Sequence, residues 1–229
     1  MEDENIRLNK FLALHMGISR READNLIEQG KIQVDNQPAV LGQHIKPAST
    51  VQVNGKNIST ATAYKYILFH KPAGYVCSRR AQGDNPTIYS ILPEELHTLK
   101  PVGRLDKDSS GLLLLTNDGD FAHKMTHPSF KKTKIYEAEL DKDLQPLHQQ
   151  MIADYGVHLE DGFSKLGLTK TEEGSRQKWQ ITMSEGRNRQ IRRTFSALGY
   201  TVTALHRTHF GTYNIEGIKK GTIKVLENI

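Results

Sequence analysis

The stretch that most constrains this chain is residues 103–119, GRLDKDSSGLLLLTNDG. Four consecutive leucines, Leu112–Leu115, have no polar alternation, and this predicts a fully buried β-strand. Ser109, Ser110 and Gly111 form a turn before it, and Asp106 stands between the basic Arg104 and that turn. A carboxylate at the mouth of a buried strand is a common catalytic arrangement. It is equally what opens a turn before a core strand, and spacing alone does not separate the two.

The stretch also matches half of a calcium loop. Asp106, Asp108, Ser110 and Gly111 fall where such a loop places three oxygen ligands and its glycine. The second half fails, because Asn117 occupies the position of the bidentate Glu and the leucines read as strand, not as an exiting helix.

GRLDKDSSGLLLLTNDG resembles the central motif of the RsuA-type pseudouridine synthases, whose GRLD aspartate is the catalytic residue. The resemblance implies that role for Asp106.

The chain has 229 residues with 37% hydrophobic and 7% aromatic content, an ordinary globular composition with room for one sizeable core and a small added module. Its polar, acidic start and the absence of a long apolar run argue for a cytoplasmic protein without a membrane span. A lone cysteine, Cys77, fits a reducing compartment. The net charge of +5 favours an anionic partner such as nucleic acid.

Residues 6–16 put Leu8, Phe11, Leu12 and His15 on one helical stripe, with Gly17 as the left-handed stop. Ser19 and Glu22 predict a capping box for a second helix, with Ala23, Leu26 and Ile27 as its apolar stripe and Gly30 as its end. Strands over 31–34 and 51–53, with turns at Asp35-Asn36 and Asn54-Gly55, complete a compact module of residues 1–60. Arg20 and Arg21 lie in the first helical turn, where cations oppose the helix dipole; a phosphate partner accounts for them, and a solvated face is the alternative. Residues 8–36 resemble the S4-like (alpha-L) RNA-binding module, which implies RNA contacts for Arg20, Arg21 and Lys31. Asn9 stands where an acidic residue is more usual, and Asp35-Asn36 where Asn-Gly is.

Residues 59–64, STATAY, read as a linker to a second domain over 65–229. That domain opens with a strand from Lys65 and the loop HKPAGYVCS, which resembles the opening motif of the same family; Lys71 and Pro72 are read as structural. Residues 79–85 form a polar, exposed loop that either touches RNA or is solvated. A helix near Asp120–Met125 ends before Pro128. His123 and His127 have the spacing of a zinc pair but lack further ligands, so no metal is expected. A basic tract including Lys132 leads into a strand carrying Tyr136, a core aromatic on propensity alone. The family resemblance instead implies that Tyr136, in its K-x-Y setting, packs on the target base.

Later elements are a helix near Pro146–Ala153 and strands near Val157–Leu159 and Lys178–Met183. Helices and strands mix without regular alternation. The fold class is α+β: a small N-terminal RNA-binding module plus a larger, mainly antiparallel β-sheet catalytic domain flanked by helices and loops.

In residues 185–200, EGRNRQIRRTFSALGY, a helix would bury Ile191, Phe195 and Leu198, project Arg189 and Arg193 to solvent or phosphate, and leave Arg192 half-buried, able to reach a carboxylate. GRNRQIRR resembles the third family motif, implying that Arg192 pairs with Asp106. Leu205 and Arg207 match the motif after it, with Leu205 in the base pocket.

The resemblance implies an enzyme that isomerises a uridine of ribosomal RNA, more often of the large subunit, without an external cofactor. Asp106, Tyr136 and Arg192 would be catalytic, Arg104 would fill the gap left by a flipped nucleotide, and Lys132, Arg189 and Arg193 would join the module in holding RNA. The expected partner is ribosomal RNA or a subunit-assembly intermediate, the expected state a monomer. Small-subunit RNA as substrate, or a non-catalytic ribosome-assembly factor, are the competing readings.

Overall fold

The computed structural model describes residues 5–58, 63–79 and 83–227. Most of the 59–64 linker and the centre of the 79–85 loop lie outside them. The chain divides into two compact units, Met1–Lys65 and Tyr66–Ile229. Among the described residues no helix is long and apolar enough to cross a membrane.

In the first unit, β1 (Ile6–Arg7) precedes α1 (Leu8–Met16), and α2 covers Arg20–Glu28. The first helix starts two residues later than its stripe suggests, because Ile6 and Arg7 pair with β4 (His44–Ile45). Gly17 ends α1 at φ +67°. Ser19 Oγ accepts from the Glu22 amide at 3.1 Å and Glu22 Oε2 from the Ser19 amide at 2.7 Å, which closes the capping box. Four short strands, β2 (Ile32–Val34), β3 (Gln37–Pro38), β5 (Val51–Val53) and β6 (Lys56–Asn57), form one antiparallel sheet. Asp35-Asn36 and Asn54-Gly55 turn its hairpins with both φ angles positive in each pair, the geometry whose twist matches the flanking strands. Leu8, Leu12, Ala23 and Ile32 are fully buried at its centre.

The second unit is built on a nine-stranded sheet. Its strands are β7 (Tyr66–Lys71), β8 (Lys100–Val102), β9 (Ser110–Thr116), β10 (Lys134–Leu140), β13 (Gly167–Lys170), β14 (Lys178–Met183), β15 (Val202–Phe210), β16 (Tyr213–Asn214) and β17 (Ile223–Val225); β11 (Val157–Leu159) and β12 (Gly162–Ser164) form a separate hairpin. The order is β13-β14-β10-β15-β9-β7-β17, antiparallel except for β15 beside β9. Helices α3 (Gly119–Thr126), α4 (Pro146–Gln150) and α5 (Gln190–Ser196) join these strands.

The four leucines of β9 are all at most 2% exposed. Leu113 and Leu115 enter the large core with Phe69, Trp179 and Ile181, whereas Leu112 and Leu114 face the opposite core with Leu68, Val102 and Phe210. Each such side chain contributes roughly 1.5–3 kcal/mol of burial. Covering both faces is what removes the polar alternation from the run.

The parallel junction is short, with His206 opposite Ser110 and Arg207 opposite Gly111. Gly111 also faces Lys71 on the other side. A Cβ built on Gly111 would lie 2.2 Å from the Arg207 carbonyl oxygen, and its φ is +113°. Only glycine admits this approach, so Gly111 sets how closely the two halves of the sheet meet.

Candidate active site

At that junction the sheet opens into a cleft of about 680 Å³. Asp106 lies on its wall with a side chain 30% exposed. Its loop is fixed from several directions. Leu105 is buried in the large core, the Gly74 amide donates to the Lys107 carbonyl at 2.7 Å, and the Ser109 amide donates to that of Asp106 at 3.1 Å. Beneath the loop, Lys71 is fully buried. Its Nζ donates to the carbonyls of Ser109 at 2.8 Å, Pro72 at 3.0 Å, Asp106 at 3.2 Å and Lys107 at 3.5 Å. Burial pushes the Lys71 pKa down while Cys77, Asp106 and Asp108 oppose that shift. The carbonyl cage holds the ammonium, since carbonyls accept from it and a neutral amine has fewer protons to share among them. The lysine of the KPAG motif is thus a loop clamp.

The guanidinium nearest Asp106 is not that of Arg192, the partner the family resemblance implies. Arg189 Nη1 stands 3.7 Å from Asp106 Oδ2 and 3.9 Å from Asp108 Oδ2. Arg192 Nη1 donates to the Val202 carbonyl at 2.6 Å and Nη2 to the Asp108 carbonyl at 3.3 Å. The cause lies in the backbone. Helix α5 begins only at Gln190, and Arg189 sits at its N-cap in the left-handed region, φ +47°. The arginine is therefore turned back toward the aspartate loop instead of riding on the helix. Arg192 keeps the half-buried position expected of it, and burial followed by repulsion from Arg189 lowers its pKa.

Arg193 is also placed differently from expectation. Its Nη2 contacts Asp161 Oδ2 at 2.7 Å and its Nε donates to the Asn188 carbonyl at 2.9 Å. Together with Arg187, 2.7 Å from Asp161 Oδ1, it ties the β11–β12 hairpin to the segment before α5. Gln190, buried and bonded to Glu185 and to Ser164 Oγ, braces the same corner.

Tyr136 on β10 and Leu205 on β15, 8% and 6% exposed, line the floor of the same cleft. Tyr136 pairs in register with Arg207, whose guanidinium is buried, donates through Nε to the Leu112 carbonyl at 2.8 Å and lies 6.0 Å from the Tyr136 ring. Lys134 is close by, with its pKa lowered by burial and by Arg207. Arg104 is exposed on the rim. Among the described residues lining the cleft, Arg104, Lys107, Lys134, Arg187, Arg189, Arg192 and Arg207 outnumber the carboxylates Asp106 and Glu185, an excess of positive charge that attracts polyanions.

Other expected residues lie elsewhere. Lys132 lines a neighbouring groove. Arg20, Arg21 and Lys31 are exposed on the first unit. His123 and His127 stack at 4.7 Å, and among the described residues no group of three metal-ligating side chains forms. Ser110, a ligand in the calcium-loop reading, begins a strand and bonds His206 Nδ1 at 2.8 Å. Lys134 and Arg207 are marked in the sequence only by the motifs they belong to, and that both line this cleft depends on which strands become neighbours.

Comparison with known proteins gives a consistent picture. Residues 65–197 match the family model described as RNA pseudouridylate synthase, and residues 6–51 match the S4 domain. The chain is 34% identical to the ribosomal large subunit pseudouridine synthase B of Bacillus subtilis, covering 96% of this chain and 91% of that protein. It is 36% identical to the ribosomal small subunit pseudouridine synthase A of Vibrio cholerae, over 92% and 91% of the two chains. Identity to the dual-specificity RNA pseudouridine synthase RluF of Escherichia coli K12 is 35%, over 96% and 75%. A crystal structure of a pseudouridylate synthase superposes with a TM-score of 0.68 at 29% identity, covering 96% of both chains.

Proposed function

Because the chain belongs to the RNA pseudouridylate synthase family and carries an S4 domain, we propose that it converts a specific uridine of ribosomal RNA to pseudouridine, with Asp106 as the catalytic residue. The observation that carries this reading is a carboxylate in a basic cleft, beside Arg189, with Tyr136 and Leu205 lining the same cleft.

The reaction breaks the N1–C1′ bond, rotates the base and forms a C5–C1′ bond; C5 gives up a proton and N1 gains one, so nothing external is consumed. Positive charge develops on the sugar as the bond breaks, and an ionised carboxylate stabilises it or attacks it. Arg189 sets a positive charge beside the Asp106 carboxylate, and that contact strengthens once RNA excludes water from the cleft. Arg192 supports the loop through the Asp108 carbonyl. The uridine reaches the floor only when flipped from its stack. Tyr136 and Leu205 then pack against the base, and Arg104 on the rim takes the vacated space. Arg20, Arg21 and Lys31 add phosphate contacts from the S4 domain.

Large-subunit RNA is the substrate we take and small-subunit RNA the alternative, since the Bacillus subtilis large-subunit enzyme and the Vibrio cholerae small-subunit enzyme match this chain over nearly equal lengths. The test is release of tritium from uridine C5 of large- and small-subunit RNA, free and in assembly intermediates, by the wild type and by Asp106→Asn. Release by the wild type alone, from large-subunit RNA, is expected. Release only from small-subunit RNA would reassign the substrate. Equal release by Asp106→Asn would remove the aspartate from the mechanism, and no release from any RNA would leave an RNA-binding protein.

A further inference from the structure

The second unit carries another concavity that the proposed reaction does not use. It measures about 510 Å³ and is walled by Phe121, Lys124, Phe130, Lys131, Lys132 and Tyr213. No carboxylate is among its lining residues, and among the described residues none of the three lysines is held in an ion pair. Lys124 and Lys131 are exposed. So is Phe130, at 45%. His123 and His127 hold it edge-on, with ring centroids 6.0 and 6.3 Å away.

The groove adjoins the cleft. Thr126, Pro128, Lys134 and Phe210 line the cleft, while Lys124, Phe130, Lys131 and Gly211 line the groove, so residues 124–134 form the ridge between them. Its floor is tight: the Gly211 amide donates to the Thr133 carbonyl at 2.8 Å, and a Cβ on Gly211 would come within 3.0 Å of Met125 Cε.

Three uncompensated ammonium groups call for anions, and an exposed ring lining the same groove calls for a flat apolar partner. A nucleotide strand supplies both at one repeat. A duplex hides the faces of its bases, so only a single strand satisfies Phe130. We propose that this groove binds the single-stranded RNA that flanks the target nucleotide, with Lys124 and Lys131 on phosphates and a base stacked on Phe130. The proposal rests on the reading of the adjoining cleft as the uridine site.

The experiment measures binding of a short fluorescein-labelled oligouridylate to the full chain by anisotropy across a salt series, together with tritium release from ribosomal RNA. Lys124→Gln combined with Lys131→Gln should reduce the slope of log K against log salt by about 1.4, the loss of two single-strand phosphate contacts. Phe130→Ala should weaken binding about tenfold and leave the slope unchanged. All three positions are on the surface, and an unchanged thermal midpoint excludes misfolding. Wild-type affinity and slope in these variants would overturn the groove, as would a wild type that does not bind oligouridylate, or one displaced from the groove only by an acidic peptide. Tritium release separates the two ideas: altered binding without release by any form sinks the pseudouridine reading, and release with unaltered binding sinks the groove.

Discussion

Lys71 Nζ reaches the backbone carbonyl of Asp106 at 3.2 Å from a fully buried position, so the cation beneath the site grips the main chain and not the carboxylate. Its other acceptors are the carbonyls of Pro72, Lys107 and Ser109. One side chain therefore sets the path of the whole loop that presents Asp106.

Lys71→Met should destabilise the protein by about 3 kcal/mol, because hydrogen bonds from a charged donor are lost and buried carbonyls are left unpaired. A displaced loop should lower the rate of tritium release about a hundredfold. Urea unfolding and initial rates check both parts.

Arg189 is separable into charge and backbone. Both partners of its contact with Asp106 are partly exposed, so Arg189→Ala should change stability by no more than about 0.5 kcal/mol. The rate should fall about tenfold, since the contact strengthens when RNA excludes water. Arg189→Gly removes the same charge and relieves a residue at φ +47°, and should be about 1 kcal/mol more stable than Arg189→Ala at the same reduced rate. Paired unfolding and kinetic measurements on the two variants decide this.

Gly111→Ala places a methyl 2.2 Å from the Arg207 carbonyl oxygen at a φ few residues tolerate. Overpacking and backbone strain together should cost about 3 kcal/mol or more. The damage falls on the junction of β9 and β15, so urea unfolding should show the loss and tritium release should fall with it.

His206 offers a pH test. Its pKa is lowered from 6.5, first by burial and then by His70 at a ring distance of 5.2 Å and by Lys220, with Glu137 opposing. Its unfolded form binds a proton more readily than its folded form. The resulting contribution is fully present above about pH 6.5 and is lost as pH falls through the lower folded value. The unfolding free energy of His206→Asn should therefore depend less steeply on pH below 6.5 than that of the wild type. Equal slopes in a urea series from neutral to acid pH would contradict this.

Much of the fold was legible because its signals are local. The Ser19–Glu22 box, the Gly17 stop and the turns at Asp35-Asn36 and Asn54-Gly55 each specify backbone geometry within a few residues. The uninterrupted leucines announced a strand covered on both faces. Errors arose where a partner far along the chain intervened. Ile6 and Arg7 left the predicted helix to pair with His44 and Ile45. Residues 185–189 left the second one, because Gln190 and Arg187 bind groups near Ser164 and Asp161.

The candidate site divides in the same way. The sequence by itself determined an acidic residue before a buried strand, a lysine and proline at the entry to the domain, and a basic segment ahead of an amphipathic helix. Tertiary structure alone decided that Arg189 and not Arg192 stands beside Asp106, that Lys71 holds carbonyls, and that Arg207 lies under Tyr136. These relations depend on a parallel register between strands some ninety residues apart and on one left-handed residue. Neither leaves a periodic trace, since non-local pairing is set by what packs across the sheet and not by neighbours in the chain.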